Sequence, residues 1–461
     1  MKRIYEPTAI VATLLGKQEI DESKQYRKFF YTTECSVEDG IVLLNTITYE
    51  LLYLTNEEVK LLENPDLSNK TVRYLAEQYF LVPENFDDEK LASQVIDTRL
   101  QVQNAYVEQP FTFFVVLTTT GCNARCFYCF EKGAKVSNMT EQTAHDVADF
   151  IERKGDKKVR IQWFGGEPLV NSKAIDIVCS DLAEKNVNFE STMVSNAYLL
   201  DEETIKKAVD VWRLKKIQIT LDGTEEVYNK TKNYIYKDVS SPFKRVLNNI
   251  ENALKAGIQI GIRLNLGEHN IEDLQNLSKM LVEKFNKYKN CHIYVVKLFE
   301  DPCGEGITVE EEVRNKLTKA MKELQQYIDD NMPKPYVENL QKAFSMPNMC
   351  MANNDKSVMI VPDGHLGKCE HFVDSEFFGS IYSDEIDFKI INKFKEHVIV
   401  SPKCKYCELR STCMPLKCCN AIPKDCDEVN RQFMFFRLHS KLKIIYNKFL
   451  EIEENKNKTE A

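Results

Sequence analysis

Three cysteines, Cys122, Cys126 and Cys129, fall within eight residues in the stretch "TTTGCNARCFYCFEKG". No fourth lies near; the next is Cys179. Metals held by cysteine thiolates usually want four ligands. Three thiolates on one tight loop suit an iron–sulfur cube whose remaining iron takes an exogenous ligand. From the triplet alone, a zinc site completed by a distant residue and unpaired structural thiols both stay open.

A second group is larger. Eight of the fifteen cysteines lie between Cys350 and Cys426. Cys350 is followed by Gly364 and Cys369, then by the CxxC pair Cys404 and Cys407, then by Cys413, Cys418, Cys419 and Cys426. Eight thiolates would serve two tetrahedral zinc ions or two cubane clusters. The other cysteines read more plainly. Cys179 sits in an amphipathic helix pattern and Cys291 opens a strand pattern, so both are expected as buried thiols. Cys35, before a hairpin pattern, is expected to be structural. Cys303, in "DPCGEG" after the last strand pattern, fits a ligand and a loop residue equally.

The composition narrows the class. With 461 residues, 43% hydrophobic and 28% charged, the chain can bury a core and spans two to four domains. A net charge of −9 with mixed signs gives no nucleic-acid footprint. The start lacks the apolar core of a signal peptide, and no run is long enough for a membrane span. The expectation is a cytoplasmic protein with neither membrane nor nucleic acid as partner. In a reducing cytosol, cysteine clusters bind metal or do chemistry more often than they form disulfides.

The elements that must position these residues follow from periodicity. Strand-like runs "TFFVVLT", "VRIQWF", "FESTMVS", "KKIQITL", "IQIGIRLNL" and "CHIYVVKLF" alternate with amphipathic helical stretches. That alternation predicts a parallel α/β sheet of six units, short of a closed eight-fold barrel. Ligands of such sheets bind at the strand carboxyl ends. There stand the triplet, then "FGGEP" with Gly165, Gly166 and Glu167, then Ser195 and Asn196 in "SNA", then Thr220 and Asp222 in "TLDG". Arg263 follows in "RLNLGEHN". Small and polar residues recur at one sheet edge, as one shared site would require. Glu167 also suits a bland role as a helix-start carboxylate beside Pro168. Upstream, "GIVLLNTITYELLYLT" predicts a hairpin, "NEEVKLLENP" a short helix capped by Asn56, and "TVRYLAEQYFLV" and "DEKLASQVIDTRLQVQ" two more helices. A helical connector precedes the cysteine-rich segment, and a helix with a charged tail follows it.

"CNARCFYC" matches the CxxxCxxC loop of the radical S-adenosylmethionine (radical SAM) superfamily, including the aromatic before the third cysteine. "FGGEP", "SNA" and "TLDG" resemble that family's later motifs, in order. One departure is Trp163–Phe164, where some relatives are polar. The resemblance implies a partial (β/α)6 TIM-like barrel over 106–300. It implies a [4Fe–4S] cluster on Cys122, Cys126 and Cys129, and SAM held by Gly165, Gly166, Glu167, Ser195, Asn196, Thr220, Asp222 and Arg263. One-electron cleavage of SAM would give a 5′-deoxyadenosyl radical that abstracts hydrogen from substrate.

The second cysteine group resembles the SPASM extension of these enzymes, with two auxiliary [4Fe–4S] clusters. Carried over by position, Cys350, Cys369 and Cys418 would serve one, and Cys404, Cys407, Cys413 and Cys426 the other. The spacing departs from the family at Cys418–Cys419, so either could be the ligand, with Cys303, Cys419 or no residue as a fourth. The implied organisation is an α+β winged-helix-like module for leader-peptide recognition (1–105), the barrel (106–300), a helical connector (301–345), a cysteine-rich iron–sulfur domain (346–427) and a C-terminal helix and tail (428–461). SPASM relatives mostly act on peptides. The implied activity is a radical SAM oxidoreductase that matures a ribosomally made precursor peptide, with thioether formation ahead of carbon–carbon crosslinking. A precursor peptide with leader and a flavodoxin- or ferredoxin-type electron donor are the expected partners. Sulfatase maturation and a non-catalytic metal scaffold are the alternatives. No catalytic acid or base stands out beyond Glu300 and Asp301.

Overall fold

The structure is a computed structural model describing residues 1–6, 9–104, 109–237, 240–298, 310–333, 350–395, 402–410 and 428–460. Glu300, Asp301, Cys303, Cys413, Cys418, Cys419 and Cys426 lie outside the described residues.

The N-terminal segment holds β1 (Lys2–Tyr5), β2 (Tyr26–Lys28), β3 (Thr32–Val37), β4 (Gly40–Asn45), β5 (Leu51–Thr55) and β6 (Leu81–Pro83). The expected hairpin is β4–β5, but it sits inside a four-stranded antiparallel sheet ordered β1-β5-β4-β3. "TTECSV" and "KRIY" carry too few apolar residues to announce strands; they form by pairing with the hairpin's two edges. Cys35, which precedes that hairpin, lies within β3 with its side chain in the core.

Strand β4 is buried along its whole length because both faces are covered. Ile41 and Leu43 pack with Val72, Leu75 and Ala76 of the helix Lys70–Glu77. Val42 and Leu44 pack with Leu442, Ile445, Tyr446 and Phe449 of the C-terminal helix Glu428–Glu460. That helical stripe, at i, i+3, i+4 and i+7, joins the last segment of the chain to the first. Two local expectations change. Thr55, not Asn56, caps the short helix Asn56–Val59, in a capping box with Glu58. "FLV" leaves the helix at Tyr79, which has φ +58°, and contributes to β6, paired with β2.

The central sheet contains β7 (Phe111–Thr119), β8 (Gly155–Gly165), β9 (Phe189–Ser195), β10 (Leu214–Leu221), β11 (Gln259–Leu266) and β12 (Cys291–Lys297). All six pair in parallel and in sequence order, matching the expected runs. The intervening helices Glu141–Lys154, Glu202–Asp210 and Pro242–Lys255 start at Thr140, Asp201 and Ser241, whose side chains accept from the first-turn amides. Cys179 and Cys291 are buried as expected.

The sheet continues past β7. Strand β13 (Ser357–Ile360) pairs in parallel with β7, and β14 (His365–Gly367) and β15 (Gly379–Ser380) extend it antiparallel. The start of the cysteine-rich segment is thus built onto the central sheet, turning at Gly364 with φ +88°. The helix Glu311–Asn331, expected as a connector, buries Leu317, Met321, Leu324 and Ile328 in the same core as the parallel strands. It supplies a helix after the sixth strand. The fold is α/β with a mostly parallel central sheet, consistent with a radical SAM partial barrel.

Candidate functional site

Strand β7 ends at Thr119, and the cysteine loop leaves from there. The adjacent end of β8 is moulded onto the stalk of that loop. Gly166 N donates to Thr119 O at 3.1 Å, and Glu167 N to Gly121 O at 3.0 Å. Gly165 has φ +117°, and a Cβ there would meet Thr119 O at 2.0 Å. A Cβ on Gly166 would lie 2.4 Å from Gly121 O. Both glycines are required by backbone-to-backbone contact with the loop itself.

Glu167 is 1% exposed. Its Oε1 accepts from Ser195 Oγ (2.8 Å) and Leu169 N (3.2 Å), and its Oε2 from Asn196 N (2.7 Å). The helix-start role is therefore present, and the same carboxylate also ties β8 to the end of β9. Burial pushes its pKa up to about 7, against the pull of the Asn196, Ser195 and Leu169 donors. Asn196 reaches onward. Its Nδ2 donates to Asn123 Oδ1 (2.7 Å) and lies 4.0 Å from Cys122 Sγ. Ala197, next in the chain, takes a left-handed φ of +60°.

The three cysteines of the triplet are half-buried on one loop. Burial, then Glu167, pushes the Cys122 thiol up to about 12. Such a thiol becomes a thiolate when a cation takes its proton's place. Asn123 Nδ2 is buried without a partner, beside Cys122. Among the described residues, no three His, Cys, Asp or Glu side chains converge on a single metal ion. Half-buried thiols on a short loop, with an unspent buried donor beside them, fit a cluster with an open corner.

Asp222, 1% exposed, faces the same loop. Its Oδ1 accepts from Tyr128 OH (2.8 Å) and Asn265 Nδ2 (3.1 Å). Its Oδ2 pairs with the Lys232 ammonium at 2.9 Å. Burial works against the Lys232 charge, but Asp222 and then Tyr128 outweigh it and hold its pKa well above the lysine range. Arg263 Nε donates to Asn265 Oδ1 at 2.9 Å. Thr220 and Arg263 are register neighbours on β10 and β11. Gly165, Gly166, Glu167, Ser195, Asn196 and Asp222 thus stand at one edge of the sheet beside the triplet, while Thr220 and Arg263 lie within β10 and β11.

Sequence reading missed Asn123, Lys232 and Asn265. Lys232 ends the helix Glu225–Lys232, in a polar run that resembles a solvated face. Tyr128 carried a signal, as the aromatic before the third cysteine, but not the role of its hydroxyl. Glu131, two residues past Cys129, was also missed. Its Oε1 is buried without a partner, and burial pushes its pKa up to about 7.

The second group is described in part. Cys404 and Cys407 flank a tight turn, with Cys407 N donating to Cys404 O at 3.2 Å. The turn docks on the N-terminal module. Tyr31 OH donates to Lys405 O (2.8 Å), and Thr46 Oγ1 to Glu408 O (2.7 Å). Arg410 reaches Ser93 Oγ (3.1 Å) and Glu89 (3.4 Å). Cys350 and Cys369 lie elsewhere, at either end of the β13–β14 hairpin. Near Cys369, the His371 ring packs tilted against Phe130 of the first loop, at 4.4 Å between ring centroids.

Residues 116–281 match the Radical SAM superfamily. The chain therefore carries a radical SAM domain, of a kind that uses SAM and a [4Fe–4S] cluster. An uncharacterized protein of Methanocaldococcus jannaschii is 26% identical over 36% of this chain and 57% of its own length. The Fe-coproporphyrin III synthase of Methanosarcina barkeri is 23% identical over 36% of this chain and 40% of its own. The chain spans about half the length of these first curated relatives. A GTP 3′,8-cyclase of Clostridium perfringens is 25% identical over 55% of this chain and 79% of its own. Among solved structures, native anSMEcpe with bound AdoMet superposes with a TM-score of 0.54 at 16% identity, covering 74% of this chain and 100% of that one. That likeness is one of fold. No described helix is long and apolar enough to cross a membrane.

Proposed function

We propose that the chain is a radical SAM maturase of a ribosomally made precursor peptide, closing thioether bonds between cysteine sulfur and a neighbouring carbon. The observation that carries this reading is the convergence of the triplet loop with Glu167, Ser195 and Asn196 at one edge of the parallel sheet. In this reading Cys122, Cys126 and Cys129 hold the cluster. Gly165, Gly166, Glu167, Ser195, Asn196, Thr220 and Arg263 border the place of SAM. When bound, SAM and the cluster supply a one-electron cleavage that yields the 5′-deoxyadenosyl radical. The chain binds, orients and excludes water.

A peptide substrate is supported by the fold likeness to anSMEcpe, whose structure is also solved with AdoMet and the Cp18Cys peptide. The N-terminal sheet supports it too. Strands β1 and β3 end that sheet, and an extended leader can add to such an edge. The SPASM reading assigns Cys350, Cys369 and one of Cys418 and Cys419 to one auxiliary cluster. It assigns Cys404, Cys407, Cys413 and Cys426 to the other, with a flavodoxin- or ferredoxin-type donor supplying electrons.

The test is anaerobic reconstitution, reduction and incubation with SAM, then with a cysteine-containing candidate peptide. Formation of 5′-deoxyadenosine, with loss of two hydrogen atoms and of a free thiol from the peptide, is expected. The same mass loss with the thiol intact would move the reading to carbon–carbon crosslinking. Turnover of GTP would replace the peptide reading by that of the cyclase relatives. No 5′-deoxyadenosine from iron-loaded protein would leave a metal scaffold.

A further inference from the structure

Lys232 touches both intervals of the CxxxCxxC loop at once. Between the first and second cysteines, Arg125 N donates to the Lys232 carbonyl at 2.8 Å. Between the second and third, the Lys232 ammonium donates to Tyr128 OH at 3.2 Å. Tyr128 OH in turn donates to Asp222 Oδ1, and the ammonium closes the triangle on Asp222 Oδ2. Three residues further on, Ile235 N donates to Asn123 O at 2.9 Å. Lys232 and Asp222 are 5% and 1% exposed at the side chain, so that pair is shielded from water, while Tyr128 is half-buried. Asp222 Oδ2 has no hydrogen bond of good geometry and is met by the ammonium alone among the described residues.

Asp222 Oδ1 is thus spent on Tyr128 and Asn265, both protein groups, and Oδ2 lies in ion-pair range of the Lys232 ammonium. We propose that Lys232, Asp222 and Tyr128 are positioning residues for the cysteine loop, and that Asp222 acts through this triangle rather than by touching SAM. This rests on the triplet holding the cluster. A buried pair is costly to desolvate and is best explained where it fixes a geometry. Here the geometry is the spacing of three thiols that the loop's own sequence leaves free to vary. Arg263 and Asn265 extend the clamp to β11, so the cluster loop is referenced to strand ends on both sides.

The experiment uses the full chain, reconstituted anaerobically, as Tyr128→Phe, Lys232→Met, Lys232→Arg and Asp222→Asn. Iron per chain, the electron paramagnetic resonance spectrum of the reduced cluster without SAM, and SAM affinity are measured. Tyr128→Phe deletes one hydroxyl and keeps the ring, so it carries the test if Lys232→Met does not fold. The expected result is a shifted SAM-free spectrum and lost iron in Tyr128→Phe, Lys232→Met and Asp222→Asn, with Lys232→Arg restoring both. The inference is overturned if spectra and iron match wild type in all four. It is equally overturned if Asp222→Asn alone weakens SAM affinity, which would make Asp222 a direct contact. Should wild type itself hold no cluster that Cys126→Ala removes, the cluster assignment fails first, and the inference falls with it.

Discussion

The loop of Cys122, Cys126 and Cys129 hangs from one strand and is gripped by neighbouring strand ends, whereas the Cys404–Cys407 turn is held from far away in the chain. Its anchors Tyr31 and Thr46 stand 374 and 362 positions from the carbonyls they bind. The first loop needs the sheet and the segment around Lys232 that follows its fourth parallel strand. The second needs the N-terminal module, itself completed by the C-terminal helix, to be assembled and docked. The order of thiols along one loop is a property of sequence. Placement of thiols drawn from distant segments is a property of packing, and it fails when any partner is loosened.

The largest effect separates the two loops outright. Cys126→Ala is expected to abolish SAM cleavage, while Cys404→Ala lowers iron per chain and leaves the first cluster's spectrum in place. Equal spectra and turnover in both variants would erase the distinction. Next, Lys232→Ala leaves Asp222 as a buried, uncompensated charge, a loss of about 3–5 kcal/mol in urea unfolding. Leu442→Ala opens a cavity where the C-terminal helix covers the N-terminal sheet, costing about 2–5 kcal/mol. Hydrogen exchange should show β4 and the Cys404 turn loosening together, with β7 protected. Loosening of β7 alone would contradict the proposed dependence.

Smaller still, Thr46→Val deprives Glu408 O of its donor, at about 1–3 kcal/mol, and should lower iron held near Cys404 while Thr46→Ser retains it. The smallest effect is a control remote from both loops. Lys284, with Tyr288 and Lys255, holds the Glu251 carboxyl down at about 2. Its stabilisation is complete above the unfolded carboxylate range and is lost as pH falls from there through about 2. Because the Lys284 side chain is 35% exposed, Glu251→Gln should cost no more than about 1 kcal/mol at neutral pH and flatten the acid limb of the stability curve.

Much of the parallel sheet could be read from residues alone. The six runs became β7 to β12 because β7 and β11 carry nearly continuous buried stretches, while β9, β10 and β12 alternate buried and less buried residues at the strand period. The helices between them carried a clear 3.6-residue period. What escaped were elements whose burial is decided by partners. β1 and β3 are polar strands made by pairing. β13 joins β7 from across the chain. The helix Glu311–Asn331 belongs to the core because Leu317, Met321, Leu324 and Ile328 find it there.

The same division holds at the site. The sequence by itself determined the triplet, its place after the first strand, and the Gly165–Gly166–Glu167 and Ser195–Asn196 motifs. Side-chain type and strand alternation suffice for that. Only the tertiary structure decided that Glu167 is shared between Ser195 and Asn196, and that Lys232 and Asp222 close on Tyr128. It also decided that the Cys404 turn leans on Tyr31 and Thr46. Those contacts join residues from separate elements, and their energies depend on burial that no local pattern encodes.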